Sequence, residues 1–193
     1  MPRAGLSKQR VVDAAAHLVD TEGVAALGVA RLARELGVRP PSLYKHIRGL
    51  EELHRELGLR AADALAQACR DAAMGRARLD ALLAVAEAFR RVAKANPGTF
   101  GFAQVVRKED EEWQRRTWAG VEPVLAILAG YGLDHEASIH AARSLRAGLF
   151  GFVTLELAGG FGLPEDLDAS YRYFVVTFEA GLRAGLEGCE RAP

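Results

Sequence analysis

Leu32-Ala33-Arg34-Glu35-Leu36-Gly37-Val38-Arg39-Pro40-Pro41-Ser42-Leu43-Tyr44-Lys45-His46-Ile47 reads as two short helices meeting at a glycine turn. Val29, Leu32, Ala33 and Leu36 recur at i, i+3, i+4 and i+7, the period of a helix with one buried face. Gly37 ends that helix, because a glycine takes the left-handed conformation without a Cβ penalty. Val38 then plugs the corner, and the small Ala33 permits a close helix crossing.

Pro40 and Pro41 mark the start of the second helix, since proline is tolerated only in a first turn. Leu43 and Ile47, four apart, face inward. Arg39, Ser42, Tyr44, Lys45 and His46 are left on or near the outer face, a short helix bearing donors, an aromatic ring and cations. Such a helix can present its first residues to base edges and its phenol, ammonium and imidazole to phosphates. The plainer alternative is an ordinary solvated helical hairpin.

Residues from about Ser7 to Leu59 resemble the DNA-binding domain of the TetR family of transcriptional regulators. Leu43-Tyr44-Lys45-His46-Ile47 is similar to that family's Leu-Tyr-x-His signature followed by an aromatic or aliphatic residue. The preceding helix fits as well. Ser7 is a candidate N-cap, with Val11, Val12, Ala15, Leu18 and Val19 as one apolar stripe behind it. Thr21-Glu22-Gly23, followed by Val24 and Leu27, is similar to the family's turn between its first two helices. The resemblance implies that Tyr44 contacts backbone phosphate and that Arg39 to Lys45, including Pro40, Pro41 and Ser42, reads the major groove, with His46 alongside. The family usually carries a lysine where this chain has Leu50; Arg48 is the nearby cation that could replace it.

Charge supports this reading only when divided along the chain. The whole sequence balances 25 basic against 25 acidic side chains. Through Arg48, eight Lys/Arg stand against four Asp/Glu, a net of +4, so the remainder carries −4. A basic N-terminal module on an acidic remainder is the footprint of a protein that meets nucleic acid at one end. The balance excludes a purely polyelectrolyte binder. Half of the 193 residues are hydrophobic, which excludes general disorder and leaves room for one or two domains with a sizeable core. Two cysteines, Cys69 and Cys189, are too few for a disulfide framework or a paired-cysteine zinc site. No secretory leader pattern opens the sequence and no stretch approaches a membrane span, so a cytoplasmic setting is expected.

The rest of the chain reads as helix. Glu51 to about Ala73 forms a connecting fourth helix, Arg78 to Ala95 a fifth, stopped by Asn96-Pro97-Gly98. Lys108-Glu-Asp-Glu-Glu112 opens the next helix with carboxylates at its positive end. Asp134 to about Leu157 and Asp166 to about Leu186 complete the set. The expected architecture is all-α with about nine helices: a three-helix helix-turn-helix domain over residues 1–50, and a helical ligand-binding and dimerisation domain over 51–193, with helix 51–73 connecting them.

Ala137, Ala141, Ser144, Gly148 and Gly151 draw a ridge of small side chains, while the last turns of the same helix are apolar nearly all round. The final helix carries Phe174 and Phe178 on one side and Val176, Ala180 and Ala184 on another. Pairing of these two helices with their copies would give a two-fold dimer built on a four-helix bundle. The expected interface comprises Ala141, Ser144, Gly148, Gly151, Phe174 and Phe178; both helices lying inside a monomer is the alternative. Phe150-Gly151-Phe152-Val153-Thr154-Leu155-Glu156 and Gly159-Gly160-Phe161-Gly162-Leu163-Pro164 resemble the C-terminal WHG domain of one TetR branch, with Phe150 where that branch usually has histidine.

Catalytic and metal constellations are not legible, and no cofactor is expected. Gly159, Gly160 and Gly162 follow a helix, as a terminating connector does and a phosphate loop does not. Glu51-x-x-His54 is one Glu-x-x-His where di-iron chemistry needs two. The resemblance implies a C-terminal pocket for a small-molecule effector that changes the spacing of paired recognition helices, and the number of aromatic residues points to a hydrophobic or aromatic one. Phe89, Phe100, Phe102, Trp113, Trp118, Phe150 and Phe161, with Arg143 as a polar anchor, are the candidates to line it. The expected protein is a dimeric repressor released from a palindromic operator by that effector. The alternative is an all-helical carrier or enzyme with an incidental hairpin.

Overall fold

The computed structural model describes residues 5–105 and 107–189, the last five by backbone alone. Among these residues the chain forms nine α-helices and no strand: α1 (Lys8–Glu22), α2 (Val29–Glu35), α3 (Pro40–Leu43), α4 (Leu50–Ala73), α5 (Arg78–Ala95), α6 (Pro97–Phe100), α7 (Glu111–Ala129), α8 (His135–Leu157) and α9 (Leu167–Cys189). The all-α expectation holds.

Local chemistry sets the helix ends. The Ser7 hydroxyl accepts the Arg10 N–H at 3.2 Å and the Asp134 carboxylate accepts the Ala137 N–H at 2.8 Å, each satisfying a donor that the first turn leaves free. Asp110 does the same for the Trp113 N–H at 3.0 Å, so the acidic run does open α7. Beyond α8, Gly159 is left-handed (φ 66°); its N–H reaches the Glu156 carbonyl and that of Gly160 the Leu155 carbonyl. This paired closure is a helix terminator, as the glycine run implied.

The chain divides into two compact units. One holds residues up to Ala62 together with Asn96–Gln114, the other Asp63–Ala95 and the chain from Arg115 on. The first unit therefore extends past the expected boundary at residue 50. It takes in the first half of α4, whose Leu53 and Leu57 are fully buried in the helix-turn-helix core, and it recruits α6 and the start of α7. Asp20, near the end of α1, accepts both the Thr99 N–H (2.7 Å) and the Thr99 hydroxyl (2.9 Å). Gly98 lies so close to α1 that a methyl group there would run into the Val19 carbonyl. On α4, Arg55 donates to Asp110 (Nη2 to Oδ1, 2.9 Å) and to Glu112 (2.7 Å).

In the second unit α5 packs against α8 and α9. Leu82, Val85 and Phe89 from α5, Leu145, Leu149 and Val153 from α8, and Tyr171 and Val175 from α9 supply buried side chains. A polar knot sits among them. Arg90, 5% exposed, holds Glu156 with two 2.7 Å bonds, reaches Asp168 with a third, and stacks over the Tyr171 ring at 5.0 Å. Lys94 adds a third bond to Glu156, and the Tyr171 hydroxyl donates to the Ala86 carbonyl. Along α4 and α7, Asp63 pairs with Arg116 at 2.7 Å and Gly120 faces Ala66 one turn further on.

Candidate nucleic-acid interface

The corner between α2 and α3 is built by the residues the sequence singled out. Gly37 has φ +65°, and its N–H bonds the Arg34 carbonyl while the Val38 N–H reaches back to Ala33 at 2.9 Å. Those are the two bonds of a Schellman closure. Val38 then packs on the core beside Leu36, and Arg39, in extended conformation, hands the chain to Pro40 at the first position of α3.

Regular helix in α3 ends at Leu43, shorter than the proline start suggested. Tyr44-Lys45-His46 continue as turns, closed by bonds from the His46 and Ile47 N–H groups to the Leu43 carbonyl. The facing is as expected. Leu43 is fully buried and Ile47 2% exposed, while Tyr44 is 57% exposed. Arg39, Pro40, Pro41, Lys45 and Arg48 are exposed, with Ser42 and His46 half-buried beside them. Each fully buried core leucine beneath is worth about 1.5–3 kcal/mol relative to exposure, which fixes this outward face.

Around the start of α4 the structure adds Glu52, Glu56 and Lys8, which sequence reading passed over. Leu50 is half-buried and packs on the helix-turn-helix core, so its position serves packing. Glu52 accepts the Arg48 backbone N–H at 2.7 Å and the Lys8 ammonium at 2.8 Å; Glu56 takes a second bond from Lys8. The Lys8 ammonium, and then the Arg48 N–H, hold the Glu52 carboxyl below its ordinary range. Lys8 and Arg48 also border a cleft of about 470 Å³. A Glu at the third position of a helix is a capping signal, so Glu52 was discoverable; Lys8, 44 residues away, was not.

The eight expected effector-binding residues fall in both units. Phe100, Phe102 and Trp113 are buried in the first. Phe102 belongs to the helix-turn-helix core and lies 5.1 Å from the His54 ring, and Trp113 packs where a methyl on Gly58 would collide with it. Phe89, Trp118, Arg143, Phe150 and Phe161 belong to the second unit: Phe89 is buried, Phe150 half-buried, Trp118 and Arg143 exposed. Phe161 stacks at 4.7 Å on Phe152, which meets Tyr171 at 4.9 Å. An open groove of about 600 Å³ between α4 and α5, floored by Ala64, Ala68 and Ala84, is lined by none of the eight.

The expected interface residues also divide. Ala141 is buried within the protomer, and Gly148 seats the ring of Phe174, leaving no room for a methyl. Those three serve packing between α8 and its own neighbours. Ser144 is exposed, Gly151 and Phe178 half-buried. Exposed beside them are Arg143, Ala147, Thr154 and Leu155 on α8, and Tyr173, Val176, Thr177, Ala180 and Ala184 on α9. Leu155 is 50% and Tyr173 73% exposed, and Arg146 on α8 and Arg172 and Arg183 on α9 are exposed as well. Among the described residues no group of three His, Cys, Asp or Glu is placed to hold a metal, and no helix is long and apolar enough to cross a membrane.

Comparison with known proteins agrees with this geometry. Residues 11–57 match the profile described as "Bacterial regulatory proteins, tetR family", and residues 82–178 the profile "Tetracyclin repressor-like, C-terminal domain". The chain is 36% identical over 181 residues to an uncharacterized HTH-type transcriptional regulator, Rv0681, of Mycobacterium tuberculosis, covering 93% of this chain and 83% of that one. It is likewise 36% identical to the uncharacterized HTH-type regulator YobS of Bacillus subtilis, covering 94% and 95%. Among solved structures it is similar to BioQ with its natural double-stranded DNA operator (TM-score 0.63, 26% identity, 93% of this chain and 99% of that one). The incidental-hairpin alternative is not favoured, because the hairpin lies inside the matched N-terminal profile. The narrower likeness to the WHG branch rests on sequence motifs alone.

Proposed function

Because the chain belongs to the TetR family and is a DNA-binding transcriptional regulator, we propose that it acts in the cytoplasm as a homodimeric repressor that a small effector releases from a palindromic operator. The observation that carries this reading is the sidedness of α3 and its following turn: Leu43 and Ile47 sealed in the core, Tyr44 and Lys45 in solvent. In this reading Arg39, Pro40, Pro41, Ser42 and Lys45 face the major groove, while Tyr44, His46 and Arg48 meet the phosphate backbone. One such module spans few base pairs, so useful affinity needs two copies on a two-fold axis. The exposed small and apolar face of α8 and α9 is the surface we assign to that pairing. Catalysis has no part in the reading.

The effector would be bound by the C-terminal helices, where half-buried apolar side chains of α7 and α8, among them Val121, Val124, Leu125 and Phe150, are available to an apolar molecule. It must prefer one spacing of the two modules to lower operator affinity.

The test is binding of the full chain to duplexes enriched from random DNA, followed across a salt series, with light scattering on the same preparation. A dimer, a palindromic consensus and affinity that falls steeply with salt are expected. A monomer, or binding indifferent to both sequence and salt, would sink the proposal.

A further inference from the structure

The first turn of α4 carries no cation of its own: its side chains are Leu50, Glu51 and Glu52. Leu50 is committed to the core, so a phosphate arriving here meets Arg48, exposed in the bend between the buried Ile47 and α4. That bend is short and contains Gly49 at φ +152°, a conformation glycine reaches easily and from which it turns easily. Left to itself, the backbone at 48 and 49 would let the Arg48 side chain sweep a wide arc.

One side chain restrains it. The Gly49 carbonyl accepts the Leu53 N–H, which makes Gly49 the N-cap and Glu52 the third helical residue. A capping-box glutamate ordinarily reaches back to the N–H of the cap itself. Glu52 reaches one residue further, to the Arg48 N–H at 2.7 Å, and its other oxygen takes the Lys8 ammonium at 2.8 Å. Glu52 thus ties the peptide that carries Arg48 both to α4 and to the first turn of α1.

We propose that Glu52 is a positioning residue for DNA binding: by holding the Arg48 N–H it fixes the direction in which the Arg48 guanidinium leaves the surface and presents that cation to a backbone phosphate. The proposal rests on the reading of Arg48 as a phosphate contact given above. A carboxylate near DNA repels phosphate, so removing its charge alone strengthens binding. A carboxylate that aims an arginine does the opposite.

The experiment measures affinity of the full chain for one enriched duplex across salt concentrations. Glu52→Met removes charge and acceptor together and should weaken binding about five-fold, with a salt slope lower by about one. Glu56→Met removes the same charge and the same Lys8 partner but touches no Arg48 N–H; it should leave binding unchanged or stronger. Glu52→Gln, which keeps an oxygen for the N–H, should restore most of the loss. Should Glu52→Met fold poorly, Glu52→Asp keeps the charge, loses the reach and should still weaken binding. Unchanged or tighter binding by Glu52→Met, or equal losses in Glu52→Met and Glu56→Met, overturns the proposal while Arg48→Gln still weakens binding. If Arg48→Gln itself alters neither affinity nor slope, the reading of Arg48 is what fails, and the role of Glu52 falls with it.

Discussion

Arg70 on α4 repairs the helix that Pro123 interrupts. Pro123 stands inside α7 and has no N–H to give the Ala119 carbonyl four residues earlier; the Arg70 Nη1 donates to that carbonyl at 3.3 Å. A defect in one helix has become a bond to another, next to the Ala66 and Gly120 approach.

This relationship predicts a specific coupling. Arg70→Met should cost about 0.5–1.5 kcal/mol in urea unfolding, the usual net worth of one hydrogen bond. In a Pro123→Ala background the new N–H takes the carbonyl, and Arg70→Met should then cost almost nothing. Additive effects in the double-mutant cycle would mean that the two residues act independently.

Lys45→Gln and Tyr44→Phe should leave the unfolding midpoint unchanged, because both side chains lie in solvent. Both should weaken operator binding. Lys45→Gln should also lower the salt slope by about one if it neutralises a phosphate, and reduce discrimination between duplexes if it reads bases. Fluorescence anisotropy on matched and scrambled duplexes distinguishes the two.

Gly98→Ala should destabilise the first unit by about 3 kcal/mol, since the added methyl meets the backbone carbonyl of Val19 and no side-chain rotation relieves it. Gly101→Ala, three residues on, faces open space and has helical φ, so it should be neutral or slightly stabilising. Equal urea midpoints for the two variants would contradict the packing of α6 on α1.

The Arg90 guanidinium, helped by Lys94 and opposed by burial, holds the Glu156 carboxyl at about 2, below its ordinary 4.5. A carboxyl depressed on folding contributes stability that is complete above the unfolded value and is lost as pH falls toward the folded one. Stability should therefore decline between about pH 4.5 and 2, by on the order of 3 kcal/mol from this group. Glu156→Gln should flatten that decline without abolishing it, because Arg55 holds Asp110 at about 2 as well. An unchanged urea-midpoint profile in Glu156→Gln would contradict the assignment.

What could be read directly from the chain was what depends on near neighbours. The bounds of α5 and α8, the Ser7 cap, the Gly37 corner and the inward pair Leu43 and Ile47 all follow from periodicity and from residues within one turn. Contacts between distant residues left no such trace. Nothing local marks Asp20 as the partner of Thr99, 79 residues on, or Arg55 as the partner of Asp110. Asn96-Pro97-Gly98 was legible as a stop, and its second task, close approach to α1, requires knowing what lies opposite. The same limit explains the aromatic residues. Periodicity marks Phe102 and Trp113 as apolar-facing but not which core they face, and both enter the first unit.

The recruitment of Asn96–Gln114 bears on how such proteins can be recombined. The module carrying α3 is not one uninterrupted stretch of polypeptide, so a hybrid spliced after α4 would leave Asp20 and Arg55 opposite a foreign loop. An exchange of specificity between relatives should therefore be made with two inserts, the second bringing the loop that these two side chains expect.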